Sequence, residues 1–208
     1  IPALVVAQGL PIKGGATTDL ANVNANKALE VVDGKSSRPT YIASSSALIT
    51  TTNFNISLEA GASTGFKIVN ICVGTTSATA AAGVTVVVQR RTTASSGGIA
   101  MGIEATGADS ISKMDPGDGS FPGLGRRTGT LGAIGPTLDQ WSFMVGEIGA
   151  GTADAHGLPM FCKPYGGATG EKPLVVAAGT NNGVSINVSS QGTGGLAFGS
   201  ISATLIAE

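Results

Sequence analysis

The sequence predicts an all-β fold, a β-sandwich of jelly-roll or Greek-key type, with an extended N-terminal arm and one long irregular loop. Three observations lead there. Apolar residues recur at every second position in about eight to ten short stretches, the period of a half-buried strand. Gly accounts for 32 of 208 residues, more than double the usual ~7%, and gathers with Asn, Asp, Ser and Pro between those stretches, where turns are needed. No stretch combines helical spacing with good helix formers. The length suits one large β domain or two small ones, and without a charged or Pro-rich linker one is expected. We expect an arm over residues 1–23 and one sandwich over 24–208, with the long loop at 94–136.

In chain order, IPALVVAQGLPIKGG carries two prolines and a Gly pair, which disfavour a helix and suit an extended arm seeking a neighbour. Asp19 could cap a helix through Leu20, Val23 and Lys27, but Asn22, Asn24 and Asn26 weaken it, so a turn and a short strand over 28–32 are expected, closing at Asp33-Gly34. Residues 39–52 alternate β-branched and polar types, and Phe54, Ile56 and Leu58 alternate with Asn55 and Ser57 as a half-buried strand does.

Residues 64–93 form the centre of the pattern: strands over 66–73 and 84–90, joined by small residues, read as a core hairpin or a sheet-crossing connection. Phe66, Ile68, Asn70 and Cys72 share one face, and Lys67, Val69, Ile71 and Val73 the other, so this strand should lie inside the sandwich or an interface. The next stretch, 94–136, exceeds the ~12–15 residues of ordinary loops, so it is either a projecting, partner-binding loop or hides strands, with 98–104 and 129–134 the best candidates.

Trp141, Phe143 and Val145 alternate over 138–148 as an aromatic anchor of the core. A strand over 157–163 places Met160 and Cys162 on one face and Phe161 on the other. Residues 173–178 form a strand, Asn182-Gly183 a tight turn with positive φ, and Val184, Ile186 and Val188 alternate with serines and Asn187. Leu196 and Phe198 open the last strand, and Gly199-Ser200 marks a bulge before Ile201, Ala203 and Leu205.

Charged residues make up 12% of the chain, about half the roughly 25% of soluble globular proteins, which favours a surface covered by other subunits over one exposed to solvent. With 12 Lys plus Arg against 13 Asp plus Glu, and no basic run beyond Arg90-Arg91 and Arg126-Arg127, the footprint of a nucleic-acid binder is missing. No apolar run approaches the ~18 residues of a membrane span, and no signal-peptide pattern is visible, so a soluble chain without a membrane partner is expected.

Cys72 and Cys162 have neither CxxC spacing nor a nearby His. The strand alternation favours a buried free thiol at Cys72, and a bridge requires the two strands to be neighbours.

No catalytic frame emerges, and no enzyme, cofactor or metal site is expected. His156, in Asp154-Ala155-His156-Gly157, is the single histidine and has no nucleophile elbow or zinc-ligand partners, which leaves a solvated loop residue. Asp115 and Asp118 with Gly117 and Gly119 faintly resemble a calcium loop, but a Pro-Gly-Asp-Gly turn explains them more simply. Glu59, Glu104, Asp139 and Glu147 could converge as glycosidase carboxylates, yet one Trp, two Tyr and six Phe, mostly at core-facing positions, are few for an aromatic-lined cleft. The arginines of Gly123-Leu124-Gly125-Arg126-Arg127-Thr128-Gly129 suit surface or intersubunit contacts, since the spacing fits no phosphate-binding loop.

Three passages carry a family resemblance: GATTDLANVNANKALEVVDG; TGFKIVNICVG with VTVVVQRRTTASSGG; and GEKPLVVAAGTNNGVSINVSS followed by LAFGSISATLIAE. In order, they resemble the entry segment, central strand pair and closing strands of small structural proteins of tailed-phage particles, the decoration or cement proteins of the head and related head-fibre and tail accessory modules. The resemblance implies a non-enzymatic virion component, assembled in the host cytoplasm, often a homotrimer, with the major capsid protein or other virion proteins as partners. The chain departs from the pattern in the 94–136 region. A capsid decoration or cement subunit is therefore the expected function. The alternatives are a tail or fibre-base component or a single-jelly-roll coat protein and, from another class, a secreted carbohydrate-binding or hydrolytic sandwich.

Overall fold

A computed structural model of the chain describes residues 38–46, 53–78, 82–145, 160–166, 172–191 and 196–208, and the fold is that of the unit Pro39–Glu208. The expected N-terminal arm, the strand over 28–32, Glu147 and His156 lie outside the described residues. The described residues are all-β. In chain order the strands are β1 (Thr40–Ser45), β2 (Asn53–Glu59), β3 (Phe66–Ala78), β4 (Ala82–Arg91), β5 (Ile99–Ala100), β6 (Gly102–Ile103), β7 (Asp109–Lys113), β8 (Leu124–Arg127), β9 (Ile134–Val145), β10 (Met160–Pro164), β11 (Leu174–Val176), β12 (Gly183–Gln191) and β13 (Leu196–Ala207).

Two sheets pack face to face. One runs β10-β3-β13-β1-β7-β6, with β11 also paired to β3; the other runs β5-β8-β2-β12-β4-β9. The long strands pair in a nested series, all antiparallel: β1 with β13, β2 with β12, β3 with β10 and β4 with β9. A long hairpin wound into a roll has this pairing, so the sandwich is a jelly roll. Because β3 and β4 belong to different sheets, the central stretch is a sheet-crossing connection.

The core follows from alternation on facing strands. In the first sheet Tyr41, Leu205 and Ile68 form one row, Ala43, Ala203 and Ile71 the next. In the second, Ile56, Ile186 and Val88 form one row, Phe54, Val188 and Val86 another. All twelve side chains are at most 2% exposed, and each large aliphatic among them contributes about 1.5–3 kcal/mol of burial.

Several details differ from the sequence expectation. The face assigned to Cys72 is overturned: Thr204 pairs with Asn70 but Leu205 with Ile68, so Val69 is an extra residue in β3. This bulge reverses the alternation. Phe66 and Ile68 point inward before it, Ile71 and Val73 after it, and Cys72 turns to the outer face. There it lies directly opposite Cys162 on β10, and the two form a disulfide with Cα atoms 4.0 Å apart. The expected free thiol is thus corrected to a bridge. The bulge expected near Gly199 coincides with a register shift between Phe198 and Ser200.

The tight turn at Asn182-Gly183 is also corrected. Positive φ falls at Gly179, 126°, and the Asn182 N–H donates to its carbonyl at 2.9 Å. Gly183 instead begins β12, where a Cβ would lie 2.7 Å from the Leu58 carbonyl oxygen. β11 and β12 do not form a hairpin, since they lie in different sheets.

Residues 94–136 are less irregular than their composition suggests. They contain β5 and β6 within the expected 98–104, but the strand expected over 129–134 is absent: that stretch has only an isolated bridge at Thr130 before β9 begins at Ile134. β7 and β8 are further strands in the insertion. β7 pairs with β1 and β6 with β7, while β8 pairs with β2 and β5 with β8. The insertion therefore widens both sheets on the same side. The aromatic centre differs too: Phe121 from this insertion, 3% exposed, packs edge-on against Tyr41 and Phe66 at 5.2 and 5.7 Å. Trp141 and Phe143 are only half-buried and pack on the core from the edge strand β9.

Candidate functional site

The sandwich has two lateral edges, and both are distinctive. On one, β9 and β10 face each other from opposite sheets. Alternation on β9 brings Asp139, Trp141 and Phe143 to this seam, and alternation from β10 onward brings Phe161, Lys163 and Tyr165. Lys163 Nζ lies 2.9 and 2.7 Å from Asp139 Oδ1 and Oδ2, and the Tyr165 hydroxyl donates to Oδ2 at 2.7 Å. The ammonium also sits 5.2 Å from the Trp141 ring centre and 5.9 Å from that of Tyr165, within cation–π range. Phe143 and Phe161 stack at 5.2 Å, 9° from parallel.

Burial works to raise the Asp139 pKa, but the Lys163 and Tyr165 hydrogen bonds, the Lys163 charge and the Gln140 amide outweigh it and hold the carboxyl below its ordinary value. The seam is therefore a fixed ion pair inside an aromatic clasp. The disulfide clamps β10 to β3 behind it. Phe161 keeps 42% exposure at the seam, while Met144 and Met160, at 73% and 64%, alternate with Phe143 and Phe161 and so lie on the outer sides of the two sheets.

The opposite edge is made by the insertion. Ile99 on β5, Ile103 on β6 and Leu124 on β8 are all exposed there. Behind them Arg127 Nε pairs with Asp109 Oδ1 at 2.9 Å, tying β8 to β7 across the sheets, and Met101 is buried. Arg126 Nη1 donates to the Gly97 carbonyl at 3.2 Å. Both arginines, expected at surface or intersubunit contacts, thus have partners within the chain.

The carboxylates weighed as a catalytic pair are scattered. Asp139 is in the β9–β10 seam and Glu104 follows β6 at the far edge, accepting from the Lys113 N–H at 2.9 Å. Glu59 is 3% exposed on the outer side of the second sheet, where it accepts from both the N–H and the hydroxyl of Ser95. Arg91 is buried nearby. Burial lowers its pKa and the Glu59 charge partly restores it, while its Nη2 donates to the Thr93 carbonyl at 2.9 Å.

The Asp115 and Asp118 turn is satisfied internally. Asp115 Oδ1 accepts from the Gly117 N–H at 2.8 Å, and Asp118 Oδ2 accepts from the Thr40 N–H at 3.3 Å. The Asp118 carbonyl accepts from Lys113 Nζ at 3.1 Å and the Gly119 carbonyl from the Tyr41 hydroxyl at 3.0 Å. Among the described residues no group of three or more His, Cys, Asp or Glu side chains is gathered for a metal. A hollow of about 60 Å³ between Arg90, Leu138, Val176 and Asn182 is far below the ~300–1,000 Å³ of small-molecule sites.

Sequence reasoning missed the clasp and the Glu59–Ser95–Arg91 cluster. The signal for the first was present, since Asp139-x-Trp141-x-Phe143 and Phe161-x-Lys163-x-Tyr165 are matching alternations of charge and aromatic rings. The second depends on a loop crossing the sheet and has no local signal. Compared with known proteins, the chain matches no family model and no curated protein.

Proposed function

We propose that this chain is a non-enzymatic structural subunit of a tailed-phage virion, a capsid decoration or cement protein that binds across neighbouring capsomers and stabilises the shell. The observation that carries the reading is a jelly roll with few charges and exposed apolar side chains on both lateral edges. Large exposed apolar groups on a charge-poor surface suit contact surfaces. The resemblance over the entry segment, central strands and closing strands points the same way. The disulfide is compatible with a particle that leaves the reducing cytoplasm, the bridge closing after release.

The mechanism is burial of area. At ~25 cal/mol per Å², even a standard interface of ~1,600 Å² supplies a large gross term, and repetition over a lattice adds avidity. Residues 1–13 and 94–136 are the proposed contact segments. Purified phage heads lacking the subunit should bind the full chain and resist heating better, and deletion of residues 1–15 should abolish binding while leaving the circular dichroism spectrum unchanged. Binding unaffected by the deletion would remove the arm from the mechanism; a full chain that never binds heads would remove the function.

The nested strand pairing also favours a second reading in the same class, a single-jelly-roll coat protein. Electron microscopy separates the two: a coat protein forms closed shells by itself, whereas a decoration protein requires the head.

A further inference from the structure

We infer that the Cys72–Cys162 bridge is a thiol-exchange site: a low-molecular-weight thiol opens it by attacking Cys162 from the sheet edge, Cys72 leaves as a thiolate beside Asn70, and the paired strands keep both cysteines in register so that the bridge can close again. The inference is independent of the assembly reading, since it concerns one bridge within one chain.

The two sulfurs are unequally accessible. Both cysteines lie on the outer face of the first sheet, directly opposite each other on β10 and β3. Cys162 is exposed, whereas Cys72 is only 9% exposed. Exchange at a disulfide is an in-line displacement: the attacking thiolate approaches one sulfur from the side away from the other, and access to that side helps to choose the sulfur attacked. The bridge runs across the strands. Beyond Cys162 the first sheet has no further strand among the described residues, because β10 ends its order. Beyond Cys72 lies β13, with Ser202 next in the same row. The approach to Cys162 is therefore open and the approach to Cys72 obstructed.

The leaving side is prepared as well. Asn70 Nδ2 donates to Cys72 Sγ at 3.3 Å, and a donor there favours the sulfur when it carries negative charge. In the first step the thiolate RS⁻ forms a bond to Cys162 Sγ, the Sγ–Sγ bond breaks, and its electron pair leaves on Cys72. A second RS⁻ then attacks the R-bearing sulfur of the mixed disulfide, releasing RSSR and the Cys162 thiolate, and both cysteines take protons from water. Two electrons pass from two thiols to the bridge.

Opening the bridge does not free β10. Its strand, Met160–Pro164, stays paired with residues 70–74 of β3, the Tyr165 N–H donates to the Val69 carbonyl at 2.8 Å, and Lys163 and Tyr165 hold Asp139 on the other side of the strand. The two thiols thus remain opposite each other, and an oxidised thiol runs the same steps backwards.

The test treats the full chain in native buffer with reduced glutathione, quenches with excess iodoacetamide to cap the freed thiol, and maps the products by peptide mass spectrometry. Glutathione should be found on Cys162 and not on Cys72. The bridge should open without denaturant, with the fluorescence of Trp141, the single Trp of the chain, staying at its oxidised value. With oxidised glutathione, Cys162 in Cys72→Ser should react about tenfold or more faster than Cys72 in Cys162→Ser. Asn70→Ser should slow opening several-fold yet leave the Cys162 reaction unchanged in the Cys72→Ser background, where no thiolate leaves. Far-ultraviolet circular dichroism checks each variant, and the wild-type mapping alone decides the site of attack if one fails to fold. Glutathione on Cys72, a bridge that opens only in denaturant, equal rates in the two single variants, or an Asn70→Ser chain that opens at the wild-type rate would each overturn the inference, as would a Trp141 signal that moves to its unfolded value on reduction.

Discussion

Asp139 is a carboxylate whose charge is useful only while its three partners hold it. Its pKa is lower in the folded chain than unfolded, despite the opposing effect of burial, so its contribution to stability is present above the unfolded value, ~3.9, and disappears as pH falls through the folded value. Asp139→Asn should therefore cost about 1–2 kcal/mol at pH 7, and the difference from wild type should shrink below about pH 4, as read from urea midpoints across pH. A cost that stays constant down to pH 2 would mean that packing, not charge, sets the role of Asp139.

Glu59 is the contrasting case. Its carboxylate balances the buried Arg91 and accepts from Ser95. Glu59→Gln removes that charge and weakens the acceptor that Ser95 uses, at a cost of about 1.5–3 kcal/mol. Glu59→Gln/Arg91→Met should recover much of the loss in chemical denaturation. Arg91 gave no sign of this in the sequence, where it reads as one half of a basic pair.

Among the elements, strands with clean alternation were legible because their packing needs no information beyond the next residue. Phe54, Ile56 and Leu58 and then Val184, Ile186 and Val188 fall inward as their pattern demands. β7 and β8 were not legible, since their sequences, DSISK and LGRR, contain one isoleucine and one leucine; both strands exist because β1 and β2 offer them an edge. β3 was half legible. Its apolar content is evident, but the bulge at Val69 is imposed by β13, and that one residue decides where Cys72 points. The candidate edges needed both sheets in place before their exposed rows could be recognised.

The resulting bridge joins residues 90 positions apart and should stabilise the fold mainly by restricting the unfolded chain. Cys72→Ser/Cys162→Ser should lose about 2–4 kcal/mol, and reduction of the wild type should give the same shift in urea midpoint. Equal midpoints in oxidised and reduced protein would show that the clasp alone fixes β10.

For the whole molecule, nested pairing places the ends of the described unit side by side. Thr40 opposes Ile206 in the β1–β13 ladder, and the Ala207 N–H donates to the Pro39 carbonyl at 2.9 Å. The order of strands along the chain is thus only one of several ways to thread the same object. A circular permutant, with a short linker from Glu208 to Pro39 and new ends in the exposed turn at Thr106-Gly107, should fold with the same disulfide and a similar melting temperature. Such a chain would separate the sandwich from residues 1–38 altogether, because that segment could then be attached at the insertion's edge or left off.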